Sequence, residues 1–368
     1  MKAVVTGQVG LDKRPYLQQV VDLARQAGHA VELLNVGEMM YAEAPDIAPG
    51  RILDLSLGRL TSLRRAVFKD IITACERHEN VIINTHAAFR WRHGLFFAFD
   101  YDQMQALHAD SYVCLVDNID AVHCRLLKDG HTEHGLKDLI VWREEEVLIT
   151  ELLSQIVRGH GRFFIQARGA DGSTIETMYK LLFKPHLRKA YLSFPMSHVM
   201  NCPEILTDIE IFRRRMKEYF TCFDPGDVEE KYLCQLALSA LEQGQRTVSV
   251  KSQGKLLALD AQELVGIIGD IDGQIYARDF KLIDQSDMII SYIPELPSGS
   301  PGLSSGVERE LQHAHEAAKE VFVIWQPKAN PSPFITETAT EVFHSMSEAV
   351  QYFLEGNFIP PPPGGLFA

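Results

Sequence analysis

No apolar run in this chain approaches the roughly 18 residues that a membrane-spanning helix needs, so a membrane partner is not expected. Basic residues do not dominate either: 36 Lys and Arg stand against 49 Asp and Glu, a formal charge of −13. The molecule as a whole therefore repels phosphate backbones, and nucleic acid is not an expected partner. The local triplet Arg213-Arg214-Arg215 reads as the solvated face of a helix. Cysteines are few. No two of Cys75, Cys114, Cys124, Cys202, Cys222 and Cys234 have redox or metal-ligand spacing, which points to reduced, mostly buried thiols in a cytoplasmic protein. His86, His93, His108, His123, His131 and His134 likewise lack ligand spacing, and no metal site is expected. The opening MKAVVTGQVG reads as a strand followed by glycines rather than a signal peptide. No internal repeat is visible.

What remains is a globular composition, 46% hydrophobic and 23% charged over 368 residues, enough for two domains of ordinary size. The first third alternates strands and helices. Residues 2–6 are apolar, Leu17, Val20, Val21 and Ala24 recur at helical spacing after Pro15, and Gly28 sits where a helix would stop. Further strands are expected at 30–36, 80–84, 111–117 and 162–167. A second alternating set has strands at 189–194, 287–293 and 320–325, with helices over 204–220, 274–285 and 305–319 and an irregular middle. Short apolar strands separated by helices predict α/β architecture: two three-layer domains with mainly parallel sheets. The expected boundaries are 1–185, 188–355 and a Pro/Gly-rich tail at 356–368, with a linker around Phe183–Lys189.

Gly7, Gly10 and Lys13 follow a strand and precede a helix, the context in which backbone N–H groups and a lysine cradle phosphate. The pattern is incomplete. Asp12 stands where the second glycine belongs, and Arg14 where a hydroxyl would hold magnesium. Together with Asn84-Thr85-His86-Ala87, which is similar to an Asp-Thr-His-Ala strand end, and the run from Ala109 through Asp117 to Arg125-Leu126, this half resembles nucleoside monophosphate kinases, particularly the archaeal-type adenylate kinases. The resemblance spans roughly residues 1–185, but Asn84 replaces the acidic residue near magnesium. Three readings stay open: a degenerate domain that binds a nucleotide through Lys13, a structural or dimerising domain, or a working kinase with substitute ligands. ATP and magnesium enter only if this loop binds a triphosphate.

Three segments of the second half carry polar groups at expected strand ends: Tyr191 through Ser197, Arg278-Asp279, and Ser304-Ser305-Gly306-Val307-Glu308-Arg309-Glu310-Leu311 opening a helix. Two carboxylates flanking a sugar suit glycosidic cleavage, and serines before a helix suit a phosphate. Glu310 is expected in the first turn of that helix, and Asp279 on a neighbouring one. Equally, Glu308, Glu310 and Glu316 read as surface charges of a solvated helix if taken alone. The segments together resemble the nucleoside 2-deoxyribosyltransferase superfamily, most closely its 2'-deoxynucleoside 5'-phosphate N-hydrolase branch, whose loop reads Ser-x-Gly-Val-Gly-Tyr-Glu-Leu-Gly-x-Ala. Glu308, Arg309 and Gln312 depart from that pattern.

The resemblance covers about residues 188–330. It implies Glu310 as nucleophile, Asp279 as acid/base or sugar-orienting carboxylate, and Ser304, Ser305 and Gly306 at the 5'-phosphate. Tyr191, Phe194, Pro195 and Ser197 would line the sugar and phosphate pocket. The activity it implies is N-glycosidic hydrolysis of a (deoxy)nucleoside 5'-monophosphate, with no cofactor required for the glycosidase and a homodimer or higher oligomer. Base exchange, a non-catalytic nucleotide sensor and a working kinase fused to the glycosidase are the alternatives.

Overall fold

The computed structural model describes residues 1–48, 50–91, 94–130, 134–170, 173–196 and 199–360. The chain begins with β1 (Lys2–Thr6), α1 (Lys13–Gln26), β2 (Val31–Asn35), α2 (Val36–Glu43), α3 (Leu57–Cys75) and β3 (Asn80–Asn84). It continues with β4 (Ala88–Trp91), β5 (Gly94–Phe97), α4 (Tyr101–Leu107), β6 (Ser111–Val116), α5 (Ile119–Lys128), α6 (Leu136–Arg158), β7 (Phe163–Ala167) and α7 (Ile175–Phe183). Next come β8 (Lys189–Ser193), α8 (Pro203–Tyr219), β9 (Thr221–Phe223), α9 (Lys231–Glu242), β10 (Thr247–Ser252), β11 (Lys255–Asp260) and α10 (Ala261–Gly266). The last stretch holds α11 (Ile268–Asp284), β12 (Met288–Ile293), α12 (Ser305–Glu316), β13 (Glu320–Trp325), α13 (Pro333–Thr336), β14 (Glu341–Phe343) and α14 (Met346–Glu355).

These elements form two compact units: Met1–Phe183 with Asp227–Ile275, and Lys184–Gly226 with Tyr276–Ala368. The first of these breaks lies between Phe183 and Lys184. The stretch 222–272, expected as an irregular part of the second domain, instead carries α9, β10, β11 and α10, and from Asp227 onward it belongs to the first unit. Leu233, Ala237, Leu259 and Leu264 bury themselves there with Ile119 and Ile140.

In the first unit five strands run in the order β2-β3-β1-β6-β7, every pairing parallel. The central strands read KAVVT and SYVCLV and are buried on both faces, as a parallel sheet between helices requires. Helix α1 presents Leu17, Val20, Val21 and Ala24 to this sheet, the spacing its sequence carries. The chain crosses from one side of β1 to the other between β3 and β6, so the loop after β1 lies where the strand order reverses, the usual place for a ligand.

The second unit repeats the plan with order β14-β13-β12-β8-β9, again all parallel. Strand β12, MIISYI, is buried at every position. Leu192, Phe212, Ile290, Phe322 and Phe353 centre the core on one face. The expected tail begins too early. Phe358 lies under the Arg188 guanidinium at 4.5 Å, and Ile359 is part of the core, because β13, β14 and α14 leave an aromatic surface of Phe322, Phe343 and Tyr352 to be covered. Residues 361–368 lie outside the described residues. No described helix is long and apolar enough to cross a membrane.

Candidate active site

Strand β9 joins β8 on one side and β12 joins it on the other, so the carboxyl ends of β8 and β12 flank the second sheet's reversal point. Polar groups gather there. Tyr191 and Ser193 alternate onto one face of β8, two residues apart, and both are fully buried. The Tyr191 hydroxyl donates to Glu310 Oε1 at 3.1 Å and the Ser193 hydroxyl to Oε2 at 2.6 Å. Behind them Ser291, the register partner of Ser193 on β12, donates to Ser193 Oγ at 3.4 Å. A relay of hydroxyls thus ends on one carboxyl group.

Glu310 reaches this point from α12. Ser304 caps that helix, its hydroxyl accepting from the Val307 N–H at 3.2 Å, a bond that stabilises a helix start by about 1 kcal/mol. Glu310 therefore sits in the second turn, not the first as expected, and the helix turns it inward while Glu308 and Arg309 stay exposed. Val307, Leu311 and Ala314 form the buried stripe. The approach to the helix is fixed by Gly302, where any Cβ would meet the Pro294 ring at 2.8 Å.

Burial pushes the Glu310 carboxyl up to about 8, with the nearby Asp279 carboxylate adding to the rise and the Ser193 and Tyr191 hydrogen bonds opposing it. Asp279 is on α11, beside Arg278, whose Nε lies 3.9 Å from Asp279 Oδ1. Glu308, two residues away and exposed, is not among the causes of this rise. Tyr191 is itself pushed well above its ordinary range, by burial first and then by Asp279 and Glu310, so it remains a hydrogen-bond donor at any physiological pH.

Of the sequence candidates, Glu310, Asp279 and Tyr191 come together. Ser304 takes its place at the helix start, and Ser305 and Gly306 are the exposed first residues of α12, whose N–H groups have no acceptor within the helix. Pro195 is buried at the end of β8. Phe194 turns into the core against Phe212, with the Arg213 guanidinium 5.6 Å over its ring. Arg213 also donates to the buried Asp224 at 2.7 Å, so one member of the basic triplet is drawn inward while Arg214 and Arg215 are exposed. Ser197 lies outside the described residues. Ser193 and Ser291 were missed from sequence. Their signal was a single serine in each of two short, mostly apolar strands.

In the first unit the loop after β1 keeps a phosphate-loop backbone. Gly7 and Gly10 have φ of 130° and 85°, and a Cβ at Gly7 would meet the Leu115 carbonyl at 2.5 Å. Asp12 adopts the left-handed conformation a glycine would take there (φ 48°, ψ 47°), which aspartate tolerates better than most residues. The chemistry has changed. Arg14 pairs with Glu38 in solvent, and the Asn84 amide donates to Asn35 at 2.9 Å. Among the described residues no group of three or more His, Cys, Asp or Glu is placed to hold a metal ion. At Arg14 and Asn84 the loop offers magnesium neither a hydroxyl nor a carboxylate.

No protein-family model and no curated protein matches the chain. Among solved structures, the shikimate kinase from Bacteroides thetaiotaomicron is 13% identical with a TM-score of 0.35, covering 50% of this chain and 98% of that one. A gluconokinase from Sinorhizobium meliloti 1021 is 13% identical (TM-score 0.31, 50% and 95% covered). A chain described as a kinase from Chloroflexus aurantiacus is 15% identical (TM-score 0.33, 51% and 98% covered). Likeness at this level carries no chemistry across.

Proposed function

We propose that the second unit cleaves the N-glycosidic bond of a (deoxy)nucleoside 5'-monophosphate, with Glu310 as nucleophile. The observation that supports this most is the carboxyl pair at the sheet's reversal point: Glu310 held at both oxygens by Tyr191 and Ser193, with Asp279 close enough to raise its pKa. A solvated surface glutamate has no such cradle. In this reading a Glu310 oxygen attacks the anomeric carbon as the bond to the base nitrogen breaks. That electron pair leaves with the base, which gains a proton from water; the hydroxide left behind takes up the proton that Asp279 accepts in the second step. Water then attacks the anomeric carbon of the glycosyl ester, Glu310 departs as carboxylate, and Asp279 accepts the water proton. The exposed amides at Ser305 and Gly306 face a helix start, where the 5'-phosphate is most favourably held.

Purified protein incubated with each deoxy- and ribonucleoside 5'-monophosphate is the direct test, following free base by chromatography. Release of base supports the reading and identifies the substrate. Added acceptor base separates hydrolysis from base exchange. No release from any nucleotide overturns the enzyme and leaves nucleotide binding without turnover.

The pH profile separates two roles for Glu310. A nucleophile must be ionised, so kcat/KM is expected to rise with pH and level off near 8, about tenfold per unit on the acidic limb. A proton-donating Glu310 gives the mirror image, with activity falling above 8. Tyr191→Phe removes one of the two bonds that favour ionisation, and it should move the limb to higher pH and lower activity at neutral pH by about ten- to a hundredfold. An unmoved limb would show that Tyr191 only packs.

A further inference from the structure

The charged groups of the N-terminal loop form a closed set. Lys13, which in a phosphate-cradling loop reaches outward, is buried, with its ammonium donating to the Gly7 carbonyl at 2.5 Å and lying 3.1 Å from His86 Nδ1. Glu146 of α6 enters the same space and is completely inaccessible to solvent. Its Oε2 accepts from the Gly7 N–H at 3.2 Å and the Ala87 N–H at 2.8 Å. Its Oε1 accepts from the Ala88 N–H at 3.4 Å and lies 3.5 Å from His86 Nδ1. The helix is held in that position by Thr150, one turn on, whose hydroxyl donates to the Glu146 carbonyl and meets Thr6 Oγ1 at 2.6 Å.

A carboxylate that takes backbone N–H groups from two strand ends and faces a lysine occupies the place an anion would take. Burying a carboxylate is costly unless such partners are present. Here burial is the largest influence on Glu146 and pushes its pKa up. The His86 and Lys13 contacts and the Ala87 N–H together outweigh it, so the group stays charged.

We propose that the N-terminal loop is an oligophosphate site closed by the protein's own Glu146, so that the folded chain takes no nucleotide there. This accounts for the misfit at Arg14 and Asn84: a loop that holds no triphosphate has no use for magnesium ligands. It is independent of the glycosidase reading. A phosphate group entering the loop meets a resident negative charge and must first displace it from at least three N–H donors.

The test is calorimetric titration of the full chain with inorganic pyrophosphate. The wild type is expected to show no binding up to about 1 mM. Glu146→Ala should bind at least about tenfold more tightly than that limit, and Lys13→Met in the Glu146→Ala background should remove the gain. Glu146→Gln keeps an acceptor for the Gly7 and Ala87 amides without the charge, so it serves if the alanine variant fails to fold. Lys13-dependent binding by the wild type would overturn the proposal. So would a folded Glu146 variant that gains no affinity, or a gain indifferent to Lys13.

Discussion

Replacing Glu310 by glutamine is expected to lower base release by about a thousandfold or more, with the loss in kcat rather than KM. Glutamine has nearly the same shape and still accepts from the Tyr191 hydroxyl, so the cradle survives. The amide oxygen cannot form the glycosyl ester, and the covalent route is closed. If the protein instead used Glu310 only to orient the sugar, the variant would retain activity within about tenfold. A stability measurement guards against trivial explanations. The Glu310 pKa is near 8 in the folded chain and 4.5 in its ordinary state. The folded protein therefore binds the extra proton between those values, and wild-type stability falls as pH rises from about 4.5 to about 8. Glu310→Gln is free of that penalty. Its Tm should match the wild type near pH 4.5 and exceed it at pH 9, so an inactive glutamine variant that is also the more stable protein at high pH would tie the loss to chemistry.

Much of this architecture is legible in the sequence because the strands are short, apolar and separated by helical periodicity. Residues 80–84 and 320–325 are strands as expected, and most other boundaries move by only one or two residues. The larger differences are α12, which stops at Glu316 instead of 319, and α11, which starts at Ile268 instead of 274 because Gly269 and Gly273 break its apolar pattern without breaking the helix. The hairpin in the middle segment was also readable. TVSVKS and KLLALD carry clear or partial two-residue periodicity around Gln253-Gly254, both at positive φ, the geometry of a tight hairpin turn. What composition cannot show is which core such a hairpin joins, since any apolar face would serve its buried residues equally.

The candidate site divides in the same way. Glu310 and Asp279 stand out by residue type, whereas Ser193 matters only because β12 sets Ser291 beside it and α12 brings a carboxylate over it. Glu146 was hidden for a related reason. In the run Glu144-Glu145-Glu146 the three residues have the same chemistry, and only the helix phase sends the third into the interior.

Helix phase also fixes the largest stability effect in the first unit. Arg143, one turn earlier on α6, is buried with every donor used. Its two terminal nitrogens meet Glu230 Oε1 and Oε2 at 2.8 and 3.0 Å. Its Nε and one terminal nitrogen also meet Gln274 Oε1, and the other reaches the Asp117 carbonyl at 3.0 Å. Glu230 is fully buried and accepts from the Ile119 N–H as well. This fork ties the segment from Asp227 to the helix and strand ends of its own unit. Arg143→Ala leaves the Glu230 carboxylate in the interior without its counter-ion. That should cost about 3–5 kcal/mol, seen as a large drop in the urea midpoint for this unit with amide protection in α9 lost first. Arg143→Met with Glu230→Leu removes both charges at similar volume and should recover most of the loss, because the penalty lies in the stranded charge rather than in the absent bond. If the single variant unfolds no more easily than the wild type, the fork is ornamental and the apolar contacts of Leu233, Ala237 and Leu264 hold the segment unaided.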